Sequence, residues 1–231
     1  MKKYFKNLIN KRYKTYHSNK PLNRNQALKM MEVSYLSAAS ALVWICLYYF
    51  PIGSALFRLA LPLPLALLQV RRGSNSSLEG VFLMVLLLLA LMGPVRGPLV
   101  LFPYGLLSIW LGWSWMKGFN WWVSLIGGVF IGVFGFITRV IVLSLLVGEN
   151  LWVIITRAGA GLLENILGIL NLPVMPELIQ VQFMAIFLVI IQELIYVFAL
   201  HAIAYWIFPR LKARMPTPPK ILYAFIALDP L

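Results

Sequence analysis

The apolar positions of this chain fall in runs too long and too uniform for a soluble domain. The clearest stretch, Leu99 to Val147, reads as two membrane-spanning helices joined by a tight turn at Met116-Lys117-Gly118-Phe119-Asn120. An apolar run of about twenty residues reaches across a hydrocarbon core of roughly 30 Å. On that measure the pattern predicts six spans: roughly Met30–Phe50, Ser54–Val70, Leu78–Leu91, Leu99–Trp115, Trp121–Val147 and Leu178–Phe208. Pro51 and Gly53 stop the first span and Pro209 stops the last. Pro62 and Pro64 each remove a backbone donor from the second, so a kink is expected there. The third ends at Gly93-Pro94-Val95-Arg96-Gly97-Pro98. Residues 149–176 are apolar but punctuated by Glu149, Asn150, Arg157, Glu164, Asn165 and Asn171. They read as an outer interfacial helix around 150–172, with a seventh span as the alternative.

Polar and small positions inside the runs carry more information than the runs themselves. In the fifth span, Gly128, Gly132, Gly135 and Arg139 are spaced i, i+4, i+7 and i+11, so they share one helix face. Glycines on one face let another backbone approach closely. An arginine in line with them points into the protein, and a charge at that depth is a functional-site candidate. The last span carries Glu193 deep in an apolar helix, preceded by Gln192, with Tyr196 and Gln182 on the same face. Depth along the two helices brings Arg139 and Glu193 to within about 6 Å of a common level, which an extended arginine can bridge. The two then form either a structural ion pair or, with Gln182, Gln192 and Tyr196, the polar floor of an outward-facing pocket. In the first span, Ser34, Ser37, Ala38 and Ala41 make a small-residue stripe, suited either to a neighbouring helix or to docking another membrane protein.

Composition and charge sharpen this picture. Of 231 residues, 61% are hydrophobic, which places the chain among integral membrane proteins of all-α, polytopic helix-bundle class. The division is a basic tail at 1–28, one membrane domain at 29–208 and a second basic tail at 209–231. A net charge of +13 invites a nucleic-acid partner, but nine of the twenty basic residues precede Met30 and four follow Phe208. They flank membrane spans, where positive charge sets orientation and attracts anionic membrane lipid. With six spans, sixteen basic residues fall on the side of the two tails and only Arg96 and Arg157 on the other, so both termini are expected in the cytoplasm. Residues 1–28 show no apolar core of a cleavable signal peptide.

Catalytic chemistry is poorly served. The only aspartate is Asp229, so no Ser-His-Asp set exists, and neither HExxH nor a phosphate-binding Gly-rich loop is present. His17, His201 and the single cysteine, Cys46, lack metal-ligand spacing. No enzyme activity, metal or cofactor is expected.

Three stretches carry a resemblance. They are the small-residue first span, the segment from Leu61-Pro62-Leu63-Pro64 to Arg71-Arg72-Gly73, and the segment from Phe102-Pro103-Tyr104-Gly105 to Trp121-Trp122. Over residues 30–146 the chain resembles the YybS-like family of poorly characterised polytopic membrane proteins. That family is distantly similar to the S components of energy-coupling-factor (ECF) transporters. The resemblance implies six helices, a pocket open to the outside, and docking on a transmembrane T component driven by paired ATPases. Docking in S components uses Ala-xxx-Ala on the first helix, matched here by Ser34-xxx-Ala38 and Ser37-xxx-Ala41. The location implied is the plasma or inner membrane, or the thylakoid in photosynthetic lineages. Two functions follow as expectations: a small-solute binding subunit for transport, or a factor assisting assembly or stability of another membrane complex.

Overall fold

The computed structural model describes residues 23–50, 53–169 and 177–219, and every regular element among them is helical. Most of both basic tails, Pro51, and the end of the interfacial segment with Asn171, Pro173 and Pro176 lie outside the described residues. The elements are α1 (Arg24–Tyr49), α2 (Ser54–Ala60), α3 (Leu63–Arg72), α4 (Ser74–Arg96), a 3-10 turn (Pro98–Leu101), α5 (Tyr104–Met116), α6 (Trp121–Val147), α7 (Leu151–Ile169) and α8 (Leu178–Ile207).

The boundaries follow local chemistry. The Gln26 side chain accepts from the Asn23 N–H at the start of α1 (3.3 Å). Leu61 and Pro62 separate α2 from α3, where the paired prolines predict a break. Only Gly73, at φ 88°, divides α3 from α4. The third span is therefore longer than its apolar run: Ser74–Ser77 are already helical, with Ser76 Oγ donating to Arg72 O (3.1 Å) and Ser77 Oγ to Leu65 O (3.4 Å). At its far end the helix is interrupted at Gly93, at φ 85°, and one further turn carries Pro94–Arg96.

α3 is the hub. Leu65, Ala66, Leu67, Leu68 and Gln69 are consecutive and all buried, which requires neighbours on every side. α4 and α5 present glycines to it. A Cβ at Gly80 would stand 2.8 Å from Leu68 Cδ2, and one at Gly112 would stand 2.8 Å from Gln69 Cβ. Glu32 of α1 accepts from Arg72 through both oxygens (2.7 and 3.0 Å) and lies 3.3 Å from Arg71, tying α1 to α3 at the basic end of the bundle. At that same end Lys29 meets Glu79 at 3.1 Å.

α6 and α8 run antiparallel in a regular register. Ser124 meets His201, Gly128 meets Val197 and Gly132 meets Glu193, so each four-residue step up α6 is matched by four residues back along α8. Extended, this register sets Val147 level with Leu178. The chain between α6 and α8 thus leaves and returns at the same end of the bundle. Among the described residues seven helical segments are long and apolar enough to cross a membrane, one more than the six expected, because α7 itself has 19 residues. The shared level of Val147 and Leu178 fits α7 as a helix laid at that end. Outward from the bundle, Phe130, Phe134, Ile137, Ile141 and Leu145 leave α6 with an exposed apolar face, as lipid contact requires.

Candidate functional site

The glycine face of α6 builds the site. Gly128 lies under Val197, Gly132 under the Glu193 carboxylate, and Gly135 under Pro103. A Cβ at Gly135 would meet the Pro103 backbone and push the start of α5 away, whereas at Gly128 and Gly132 it would displace the Val197 and Glu193 side chains. One turn beyond Gly135, Arg139 donates from Nη2 to the Phe102 carbonyl (3.2 Å), the residue before Pro103. Its guanidinium also lies 5.3 Å from the ring centre of Tyr104 and 5.8 Å from that of Trp44. Both distances are within cation–π range.

A second arginine enters from the other side. Arg58 of α2 donates from Nε to the Tyr104 hydroxyl (3.2 Å) and lies 5.8 Å from the Tyr196 ring centre. Tyr196 returns the contact by donating its hydroxyl to the Arg58 carbonyl (2.8 Å). The rings of Trp44, Tyr104 and Tyr196 pack edge to face in series, at 5.7 and 6.3 Å. Tyr104 therefore stands between the two guanidiniums, touched by one at its hydroxyl and by the other at its ring.

Glu193 completes the group. It is 4% exposed, and its Oε2 has no hydrogen-bond partner. Arg58 and Arg139 both act on it electrostatically. The direct Arg139–Glu193 ion pair expected from depth alone is not formed, and among the described residues no ion pair within 4.0 Å involves any of the three charges. The Phe102 carbonyl and the aromatic rings take the arginine instead.

The other expected pocket residues separate. Tyr196 joins the cluster. Gln192 is exposed on the outer face of α8, because one residue turns the helix by about 100°. Gln182 is half-buried but sits three turns, about 16 Å, toward the far end. Arg58, near the end of α2, faces inward. Trp44, Tyr104 and Arg58 are the members that the sequence did not single out. Among the described residues one cavity lies at the basic end of the bundle and another at the opposite end, and neither of these is lined by Arg139 or Glu193.

The small-residue stripe of α1 also divides. Ser37 and Ala41 are buried, Ser37 against α4 with its Oγ donating to Gly80 O (2.8 Å), so neither is free to dock a partner. Ser34 and Ala38 are exposed. The stripe runs along the border of the buried face, not along its centre.

A separate buried polar group lies toward the basic end. His201 lies 2.9 Å from Ser124 Oγ and 2.9 Å from the Val197 carbonyl, and Ser124 meets Ser114 at 2.7 Å. The rings of Trp115 and Trp121 stand against the imidazole at 5.3 and 5.2 Å. Closed in by protein on all sides, this group joins α5, α6 and α8.

Residues 37–226 match the model of a family described as predicted membrane protein (DUF2232). No curated protein and no solved structure matches the chain.

Proposed function

The chain belongs to the DUF2232 family of predicted membrane proteins, and on that premise we propose that it is the small-solute binding subunit of a transport system. One observation carries this. Two arginines and a glutamate are brought together inside the membrane domain with no ion pair between them. Intramembrane charges are costly, and where they do not neutralise one another they mark a solute or ion path. Two guanidiniums beside one carboxylate leave a net positive charge, suited to a small organic solute with an anionic group. A cationic group on the same solute would find Glu193 Oε2. The rings of Trp44, Tyr104 and Tyr196 fill the space between the arginines, so entry requires those rings to move.

This function has the form of the S components of ECF transporters, to which the poorly characterised YybS-like family is distantly similar. It calls for a transmembrane partner and ATPases, since this sequence has no phosphate-binding loop of its own. The protein then binds and delivers, and catalyses nothing itself. Both termini lie in the cytoplasm, and the host membrane is the plasma or inner membrane, or the thylakoid. Purification from native membranes tests this: co-purifying ATPases with a bound organic anion support it, and a protein recovered with neither contradicts it.

A second function is favoured by a different observation. Ser34 and Ala38 leave small side chains on an exposed face of α1, where another membrane helix can pack closely. A factor that assists assembly or stability of a membrane complex would use that face, and would be recovered with a partly assembled complex.

A further inference from the structure

We propose that the cavity at the basic end of the bundle binds the phosphate group of an anionic ligand. The cavity, about 410 Å³, lies between the C-terminal ends of α3 and α5 and the chain that follows α8. Pockets of roughly 300–1,000 Å³ accept small ligands. Four cations line it: Arg71, Arg72, Lys212 and Arg214. Glu32 is shared between Arg71 and Arg72, while among the described residues Lys212 and Arg214 have no carboxylate within 4.0 Å. The lining therefore keeps a positive excess facing an open space.

The chain after α8 is fastened through its backbone, which keeps the exposed Lys212 and Arg214 beside the cavity. Lys212 N–H donates to Pro209 O (3.0 Å) and Ala213 N–H to Phe208 O (2.9 Å). Three residues on, Trp121 Nε1 donates to Pro216 O (2.9 Å). Lys212 itself takes a left-handed backbone, at φ 58°. Trp115 and Met116 close the cavity from the α5 side. Arginine forks suit a tetrahedral oxyanion. Basic pockets between membrane helices take lipid headgroups by the same chemistry, so the phosphate comes either from an anionic phospholipid or from a soluble phosphomonoester.

The two sources are separated by titrating the purified full-length protein in neutral detergent and counting complexes by native mass spectrometry. The probes are phosphatidylglycerol, phosphatidylcholine, inorganic phosphate and glycerol 3-phosphate. Retention of phosphatidylglycerol over phosphatidylcholine identifies the lipid source, and retention of either soluble probe identifies the other. In both cases Lys212→Gln/Arg214→Gln is expected to weaken binding about tenfold or more. The charge-matched Arg24→Gln/Lys29→Gln, at the same end of the bundle, should leave it unchanged. The proposal is overturned by absence of binding with every probe, by equal retention of the two lipids with no soluble probe bound, by equal weakening in both double variants, or by no weakening at Lys212 and Arg214.

Discussion

Gly132 and Glu193 are fitted to each other: a Cβ on the glycine would fall on the buried carboxylate of the glutamate. The contact sets the spacing of α6 and α8 at the level where both arginines approach. Gly132→Ala is therefore expected to destabilise the protein by roughly 1–3 kcal/mol, as overpacking does in well-filled interiors. Glu193→Ala opens the space that the new methyl needs, so the double variant should lose less than the two single losses together. Thermal unfolding in detergent measures the cycle, and strict additivity would show that the two residues do not meet.

Arg58 and Tyr104 supply the second test. Hydrogen bonds to charged groups contribute roughly 1.5–3 kcal/mol, so Arg58→Met and Tyr104→Phe should couple by about that much. On the opposite side of the ring, Arg139→Met should couple to Tyr104→Leu more strongly than to Glu193→Gln, because Arg139 touches the ring and makes no ion pair with the carboxylate. The reverse order in a stability cycle would restore a direct Arg139–Glu193 pair.

The register of α6 against α8 predicts a labelling pattern. In a Cys46→Ala background, cysteines at Asn150 and Glu177 should react with an impermeant thiol reagent from one side of the membrane. Cysteines at Lys20 and Lys220 should react only from the other. Labelling of 150 and 177 from opposite sides would make α7 a full span.

α1 offers a built-in comparison. Ala41 is buried against the bundle and Ala38 is exposed. Ala41→Trp should lower accumulation of the protein in membranes, since the indole has no room. Ala38→Trp should accumulate normally, and recovery of a partner with it then reports whether this face docks anything. Normal accumulation of Ala41→Trp would mean that α1 does not pack as described.

Much of this was legible in the sequence, for reasons that differ by residue. Gly128, Gly132, Gly135 and Arg139 lie within one straight helix, so their spacing alone places them on one face. Glu193 stood out as a carboxylate in an apolar run. Arg58 did not, because its direction depends on how α2 is set off from α3 at Leu61 and Pro62, and spacing does not give the angle of a break. Trp44 and Tyr104 look like ordinary apolar positions until their rings are found against guanidiniums. Ser34 and Ala41 are seven residues apart, only about 20° in helical angle, yet one is exposed and the other buried. A border that fine is drawn by the neighbouring helices, not by the stripe.

The most direct measurement is of what the membrane domain holds. Wild-type protein and Arg139→Lys are purified from native membranes at matched helical content, and small molecules released on unfolding are identified by mass spectrometry. Lysine keeps the charge but loses the planar fork that reaches Phe102 and the two rings. A single organic anion, stoichiometric in the wild type and depleted in the variant, is the result predicted for a solute-binding subunit. The same molecules in both samples, or none in the wild type, would contradict a solute site at Arg58, Arg139 and Glu193.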